Sequence, residues 1–249
     1  MHRFYCAALL QQQEPLVIDD PDEVHHIARV LRLRPGDAVE LINGQGALGA
    51  ARIIGISKQH IQVELLEEVR SFLPSPVKII LACALPKRSK FEDIIEKCTQ
   101  LGVDEIVPLV TKRTEIVPSK EAVLRMGIRF NKVALSASKQ CQRLWFPVVY
   151  PAMALETAVD LFAKESNALY FPWLEGKRTL LKEALDRREP RPGAVVFFIG
   201  PEGDFSPEEA DYTIRKGAVP VSLGETVLRV ETAAVAVISY AHFIIGGSD

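Results

Sequence analysis

Two glycine-containing turns near the C-terminus carry residues that could bind a ligand and act on it. The first is the segment 200–203, Gly-Pro-Glu-Gly, and the second is the segment 223–226, Leu-Gly-Glu-Thr. Glycine lets backbone N–H and C=O groups approach a ligand closely, and proline stiffens a turn. Arg229 and Glu231 follow the second turn. If the two turns face each other, they form a cleft that reads a nucleoside mainly through backbone atoms.

These features also have plain structural interpretations. The segment 200–203 could be an ordinary strand-to-helix loop. Arg229 and Glu231 could form a surface ion pair, which is the more common role for such residues. The small residues of the segment 232–237 could simply pack in a core, or they could allow close helix packing at a subunit interface.

Several classes of function lack their motifs in this chain. The segment 200–203 is neither a GxGxxG nor a Walker loop, which disfavours nucleotide hydrolysis and a nicotinamide-dependent oxidoreductase. There is no GxSxG motif and no metal-ligand spacing among the four cysteines, so neither a hydrolase nor a metal site is predicted. The cysteines are typical of reduced thiols, and no export signal or membrane-length apolar stretch is present, so we expect a cytoplasmic protein without a membrane partner.

The elements around the turns predict an α/β fold. The unbroken apolar run 194–199 is typical of a strand buried on both faces of a parallel sheet. Ser206, Pro207 and Glu209 then form the signature of a helix start. Strands and helices alternate from residue 73 onwards, which favours a mostly parallel sheet with helices on both sides. The predicted strands are 77–85, 106–110, 167–172, 194–199 and 219–223, and the predicted helices are 87–101, 121–139, 155–164, 178–188, 207–216 and one from about residue 231.

Residues 1–72 predict a separate β-rich domain. A helix should begin at the Asp20 cap and run to about Leu33. Strands are predicted at 38–42, 50–56 and 61–66, with a hairpin-type loop at 43–46. The proline-containing segment 72–76 is the predicted linker, so we expect a second domain over 73–249.

The charge distribution is uneven although the net charge is only −2. Residues 86–145 contain 12 Lys and Arg against 7 Asp and Glu, whereas residues 146–249 contain 10 against 15. The basic middle of the chain is compatible with a surface that faces phosphates, or with ordinary solvated helices. The same two interpretations apply to the helix that carries His26, Arg29 and Arg32.

Motifs spread along nearly the whole chain resemble one known family, and their order and spacing are more specific than any one of them. They are His26–Arg32 with Gly36-Asp37, Lys87 through Val103, Gln140–Arg143 with Pro147, Ile199–Gly203, Leu223-Gly224, and Val227–Arg229 with Glu231–Ala233. In these motifs the chain resembles RsmE, the SPOUT-class family that makes N3-methyluridine in small-subunit (16S) ribosomal RNA. The resemblance implies a PUA-like RNA-binding β-barrel domain followed by a trefoil-knotted SPOUT methyltransferase domain.

The resemblance also implies a cofactor, partners and site residues. The cofactor would be S-adenosyl-L-methionine, and the partners would be a second copy of the chain in a homodimer and small-subunit ribosomal RNA, naked or in an assembled subunit. The implied cofactor-binding residues are Pro172, Trp173, Leu174, Ile199, Gly200, Pro201, Glu202, Gly203, Leu223, Gly224, Val227 and Leu228. The catalytic candidates are Arg229, Glu202 and Glu231. The RNA-binding candidates are His26, Arg29, Arg32, Arg34, Lys87, Arg88, Gln140 and Arg143.

The sequence departs from the usual pattern of this family at five positions. The family usually has Gly where Asp204 stands, Arg at Thr226, Thr at Val230, and Glu at Gln100 and Lys139. Two further hypotheses therefore remain open at the level of sequence. One is a SPOUT methyltransferase for another RNA position, such as a ribose hydroxyl, and the other is an RNA-binding assembly factor without strong catalysis.

Overall fold

The computed structural model describes residues 1–11, 15–87, 91–115, 117–186 and 192–245. The chain divides into two compact units. The first comprises Met1–Pro74 together with Ser138–Phe146, and the second comprises Ser75–Ala137 together with Pro147–Asp249. The short stretch 138–146 therefore has its contacts in the first unit, although it lies far along the sequence.

The first unit is built on a six-stranded sheet. Its strands are β1 (Arg3–Tyr5), β2 (Leu16–Ile18), β3 (Ala38–Ile42), β4 (Ala47–Ile56), β5 (Ile61–Leu65) and β6 (Arg70–Ser71). The order is β1-β3-β4-β5-β2, with β6 paired to β4, and all pairs except β1–β3 are antiparallel. Alternate residues of β4 and β5 are buried, for example Ala51, Ile53, Ile61 and Val63, and they form one face of a compact core.

The segment 138–146 joins this unit through aromatic packing over two glycines. Gly44 and Gly46 have positive φ angles of 73° and 88°. A Cβ at Gly44 would meet the Phe146 ring at 2.4 Å, and one at Gly46 would meet the Trp145 ring at 2.6 Å. Only glycine therefore fits at these two positions beneath the rings.

The predicted helix of the first unit is shorter than expected. Asp20 caps α1 (Pro21–His25), because its carboxylate accepts the N–H groups of Asp22 and Glu23 at 3.0 and 3.1 Å. A π-helical turn, His26–Val30, follows directly. The prediction that the helix continues to Leu33 is wrong, because Arg32 adopts a left-handed φ of 53° and ends it.

The second unit is an eight-stranded sheet in which every pair is parallel. Its strands are β7 (Lys78–Ala84), β8 (Glu105–Val110), β9 (Val148–Val149), β10 (Met153–Ala154), β11 (Asn167–Pro172), β12 (Thr179–Leu180), β13 (Ala194–Ile199) and β14 (Val219–Ser222). The order is β10-β8-β7-β13-β11-β14-β12, with β9 paired to β8. This confirms the predicted parallel sheet.

Helices cover both faces of the sheet, as the alternating pattern predicted. They are α2 (Phe91–Gln100), α3 (Lys120–Gln140), α4 (Leu155–Phe162), α5 (Leu181–Asp186), α6 (Pro207–Arg215) and α7 (Val230–Ile245). Alternate residues of β13 enter opposite cores: Phe197 packs in the core that includes α2 and α7 residues, and Phe198 packs in the core that includes α4 residues. The predicted helix 178–188 begins later in the structure, because Thr179 and Leu180 pair with β14 instead, and its last two predicted residues, 187 and 188, lie outside the described residues.

Candidate cofactor site

A cavity of about 270 Å³ lies at the carboxyl ends of three neighbouring strands, β11, β13 and β14. This edge is where ligands bind in open α/β sheets. The lining is largely apolar, with a few charged side chains. It comprises Pro172, Trp173, Leu174, Arg178, Ile199, Gly200, Pro201, Glu202, Asp204, Val221, Ser222, Leu223, Gly224, Thr226, Val227, Leu228, Arg229, Val230 and Ala233.

The loop after β13 is held rigidly where it enters α6. Ser206 and Glu209 form a capping box: Ser206 N–H donates to Glu209 Oε2 at 2.8 Å, and Glu209 N–H donates to Ser206 Oγ at 3.3 Å. Glu209 is buried, and its other oxygen accepts the N–H of Lys112 at 2.8 Å. The cap therefore fixes the helix start and ties this loop to the chain that follows β8.

Asp204 ties two walls of the cavity together. Its Oδ2 accepts the N–H of Leu174 at 2.9 Å, and its Oδ1 accepts the N–H of Phe205 at 2.8 Å. The residue has a φ of 62°, which is uncommon for a side chain other than glycine, asparagine or aspartate. Burial raises the pKa of the Asp204 carboxyl, and the backbone N–H groups of Leu174 and Phe205 partly oppose that rise.

The loop after β14 forms the opposite wall. Gly224 has a φ of 127°, and Ser222 Oγ donates to its carbonyl oxygen at 3.1 Å. The chain then passes through Val227 and enters α7 at Val230. The two glycine-containing turns predicted to face each other do line one cavity.

The cavity collects nearly all of the residues predicted to bind the cofactor. The members of the predicted set that line it are Pro172, Trp173, Leu174, Ile199, Gly200, Pro201, Glu202, Leu223, Gly224, Val227 and Leu228. Gly203 is outside this lining. It lines a second cavity, of about 590 Å³, that shares Pro201 and Glu202 with the first. The prediction omitted Arg178, which the structure brings in because its guanidinium donates to the carbonyl of Trp173 at 3.0 Å.

The three catalytic candidates fall into two groups. Arg229 and Glu202 line the cavity, whereas Glu231, in the first turn of α7, does not. Of the five departures, Asp204, Thr226 and Val230 line the cavity, and Gln100 is exposed at the end of α2.

The fifth departure, Lys139, is paired within the first unit. Its ammonium lies 3.2 Å from both Asp20 and Glu23. The same residue lies over the ring of Tyr5, at 5.9 Å from the centroid. Lysine at this position therefore forms an ion-pair network that a glutamate could not form.

The predicted RNA-binding residues are dispersed. In the first unit, Arg29 lines a groove with His25 and Lys58, while His26, Arg32 and Arg34 are exposed elsewhere on the surface. Gln140 and Arg143 belong to the segment 138–146 of that unit. In the second unit, Lys87 lines the second cavity and pairs with Glu115 at 2.5 Å. Arg88 lies outside the described residues.

The described residues contain no helix that is long and apolar enough to cross a membrane. They also contain no group of three or more His, Cys, Asp or Glu side chains arranged to hold a metal ion.

Comparison with known proteins gives the family. A family model described as an RNA methyltransferase domain matches residues 73–242, and one described as an RNA methyltransferase PUA domain matches residues 18–66. The chain is 33% identical to the ribosomal RNA small subunit methyltransferase E of Synechocystis sp., over 85% of this chain and 67% of that protein. It is 25% identical to the Bacillus subtilis protein of the same name over the full length of both.

Two solved structures share the fold over nearly the whole chain. One is a putative methyltransferase from Legionella pneumophila in complex with S-adenosylmethionine, with 30% identity, a TM-score of 0.81 and 97% of each chain covered. The other is the ribosomal RNA small subunit methyltransferase E of Neisseria gonorrhoeae bound to S-adenosylmethionine, with 27% identity, a TM-score of 0.82 and 98% of each chain covered. The chain belongs to the ribosomal RNA small subunit methyltransferase E family.

Proposed function

We propose that this protein transfers a methyl group from S-adenosylmethionine to N3 of a specific uridine in small-subunit ribosomal RNA. One observation carries the proposal: the loops after β11, β13 and β14 meet around a single cavity at the carboxyl edge of the sheet. Two similar proteins were solved with S-adenosylmethionine bound.

The residues of the cavity suit that cofactor chemically. Apolar side chains and exposed backbone groups of the three loops suit an adenosine moiety. The carboxylates of Glu202 and Asp204 lie in the same lining and suit a cation. When bound, S-adenosylmethionine supplies an electrophilic methyl group on a positively charged sulfur.

The acceptor nitrogen carries a proton at neutral pH, so a residue must accept that proton or stabilise the anion that forms. We assign Glu202 as the leading proton acceptor, because it lines the cavity and Glu231 does not. Its Oε1 is oriented by the N–H of Lys87 at 2.9 Å. Arg229 is placed to stabilise developing negative charge or to hold the target phosphate. Glu231 would then act by orienting Arg229.

The proposed protein has two parts with distinct tasks. Residues 1–72 would act as the PUA-like RNA-binding domain and residues 73–249 as the SPOUT methyltransferase domain. The C-terminal part of the second domain would be threaded as a trefoil knot, consistent with β13 and β14 both lying beside β11. The RNA-facing residues would be the eight RNA-binding candidates implied by the resemblance, and binding would take place in the cytoplasm, where ribosomes assemble.

A homodimer is also part of the proposal. Val227 and Phe243 are 73% and 74% exposed, and Leu180 is exposed near the same loops. An apolar recess between α5, α7 and the loop after β14 lies beside them. A second copy of the chain would cover these side chains and close the cofactor cavity from the outside.

Nucleoside analysis tests the function. Small-subunit ribosomal RNA from cells with and without this protein should differ by one N3-methyluridine, measured by mass spectrometry. Purified protein should restore that nucleoside in subunits from the deficient cells when S-adenosylmethionine is supplied. A ribose-methylated product would favour the alternative position, and cofactor binding without any transfer would favour the assembly-factor hypothesis.

A further inference from the structure

Two more cavities adjoin the proposed cofactor site within the described part of the second unit. One, of about 590 Å³, shares Pro201 and Glu202 with it. The other, of about 280 Å³, shares the segment 222–224 with it. The acceptor atom must reach the methyl group, so the acceptor site should be one of the spaces that share lining residues with the cofactor site.

The chemistry of the two linings differs. The smaller cavity is apolar apart from Ser222 and Lys182. The larger cavity, which we call the Arg113 cavity, has an apolar floor on which the rings of Phe91 and Phe130 pack with their centroids 5.0 Å apart. Charged and polar side chains surround this floor. They are Lys87, Glu92, Arg113, Thr114, Glu115, Arg129 and Glu202.

We propose that the Arg113 cavity receives the acceptor nucleotide, a pyrimidine nucleotide displaced from its RNA strand. An apolar aromatic floor with cations at the rim fits a base with its attached phosphate, and a volume of several hundred Å³ is in the range of small-ligand sites. A base that is modified must leave its stack to reach the reactive group. This assignment rests on the proposed function, because it presupposes a methyl donor in the adjoining site.

The loop after β13, which lines both sites, is fixed by hydrogen bonds from the acceptor side. The Arg113 guanidinium donates to the carbonyl oxygen of Gly203. A Cβ at Gly203 would lie 3.4 Å from Arg113 Cδ, so the arginine side chain lies directly over this glycine. Lys87 N–H holds the Glu202 carboxylate of the same wall. Glu202 thus borders both sites, where it can take the N3 proton as the N3–methyl bond forms and the sulfur–methyl bond breaks.

The test uses two tryptophan variants on one helix. Ala122 in α3 lines the Arg113 cavity, so Ala122→Trp should fill it. Leu124 is 70% exposed on the same helix and is absent from this lining, so Leu124→Trp is the matched control. We expect Ala122→Trp to lower the methylation rate of unmodified small subunits at least tenfold while the Kd for S-adenosylmethionine changes less than twofold. Leu124→Trp should methylate at the wild-type rate.

A second variant keeps the test decisive if Ala122→Trp folds poorly. Arg129 is 66% exposed and pairs with Glu92 at the rim. Arg129→Gln should raise KM for the RNA substrate several-fold and leave cofactor affinity unchanged. Wild-type methylation rates in both Ala122→Trp and Arg129→Gln would overturn the acceptor assignment, and so would an equal loss of rate in Leu124→Trp. The proposed function would still stand in either case, provided that the wild-type protein binds the cofactor and transfers the methyl group. A wild-type protein that transfers no methyl group would overturn both.

Discussion

The carboxylate of Asp204 accepts the backbone N–H of Leu174 at 2.9 Å and so joins the loop after β13 to the loop after β11. The same carboxylate lines the cavity proposed to hold a cationic cofactor. It can therefore act in two ways: as a tie between two loops, and as a negative charge beside the ligand. The product of methyl transfer, S-adenosylhomocysteine, lacks the sulfonium charge, which allows the two roles to be separated.

Asp204→Asn should weaken S-adenosylmethionine binding more than S-adenosylhomocysteine binding. Asparagine tolerates the left-handed backbone and keeps one oxygen for the N–H of Leu174, at the cost of the hydrogen bond from Phe205, so the tie between the two loops should remain. Loss of the charge at a partly buried site should cost about 1 kcal/mol, or about fivefold in affinity. Calorimetry with both ligands measures the ratio. An equal change for the two ligands would mean that Asp204 serves only as the tie.

The raised pKa of Asp204 should make both the folding stability and the ligand affinity depend on pH. Burial raises this pKa, Glu175 raises it further, and Arg113 lowers it. The folded protein thus holds the proton more tightly than the unfolded chain. The stabilising contribution of protonated Asp204 is present at low pH and is lost as the pH rises through the folded pKa.

The affinity for the ligand should change with pH in the opposite direction to the folding stability. S-adenosylmethionine affinity should fall as the pH is lowered through the raised pKa of Asp204, because the carboxylate is then neutral. Calorimetry on Asp204→Asn tests this prediction, since the acid-side loss of affinity should be missing from that variant. A pH profile identical to the wild type would show that Asp204 is not the source of the loss.

Arg229→Ala should abolish methyl transfer and leave cofactor affinity nearly unchanged. Removing one group that stabilises developing charge typically lowers kcat by about 100-fold or more. Single-turnover transfer to unmodified small subunits and calorimetry with S-adenosylmethionine give the two quantities. Arg178→Ala is the matched control, because Arg178 lines the same cavity but its guanidinium donates to the carbonyl of Trp173. Full turnover by Arg229→Ala would end its assignment.

The sequence predicted the second unit better than the first, for a physical reason. The run 194–199 is apolar at every position because β13 is buried on both faces, and its bounds were predicted correctly. The cap at Ser206 was equally local and equally visible. The π-helical turn at His26–Val30 and the attachment of the segment 138–146 depend on tertiary packing, which no periodicity in the sequence reports.

The same distinction applies to the candidate site. Glycine and proline turns after buried strands can be read from local sequence, and they do line one cavity. The role of Asp204 could not be read in this way, because its partner Leu174 is 30 residues away. Whether Arg113 lies over Gly203 likewise depends on β8 and β13 both lying beside β7.

Lys139→Met should destabilise the protein in a pH-dependent way. Lys139 pairs with Asp20 and Glu23, and the side chains of Lys139 and Asp20 are only 16% and 21% exposed. Burial raises the pKa of Glu23, and Lys139 opposes that rise. Without the lysine, the free energy of unfolding should fall by about 3 kcal/mol near neutral pH, since a buried carboxylate loses its partner.

The pH dependence of this loss of stability, and its control, depend on Glu23. Its pKa should rise further in Lys139→Met, so the loss should be large above that pKa and should shrink at acid pH, where Glu23 is protonated. Urea unfolding at neutral and acid pH measures both values. Adding Glu23→Gln to Lys139→Met should recover part of the stability at neutral pH. A loss that is the same at both pH values would contradict an electrostatic origin.

The groove of the first unit that contains His25, Arg29 and Lys58 should contribute phosphate contacts to RNA binding. Each phosphate contact releases counterions, so Arg29→Ala and Lys58→Ala should each weaken binding and reduce the slope of log Kobs against log salt concentration by about one. Filter binding or fluorescence anisotropy over a salt series measures the slope. Lys216→Ala, which removes a lysine paired with Asp160 in the second unit, is the control and should leave the slope unchanged. Unaltered slopes in both groove variants would exclude the groove from the RNA-binding surface, because a lost phosphate contact necessarily changes the number of counterions released.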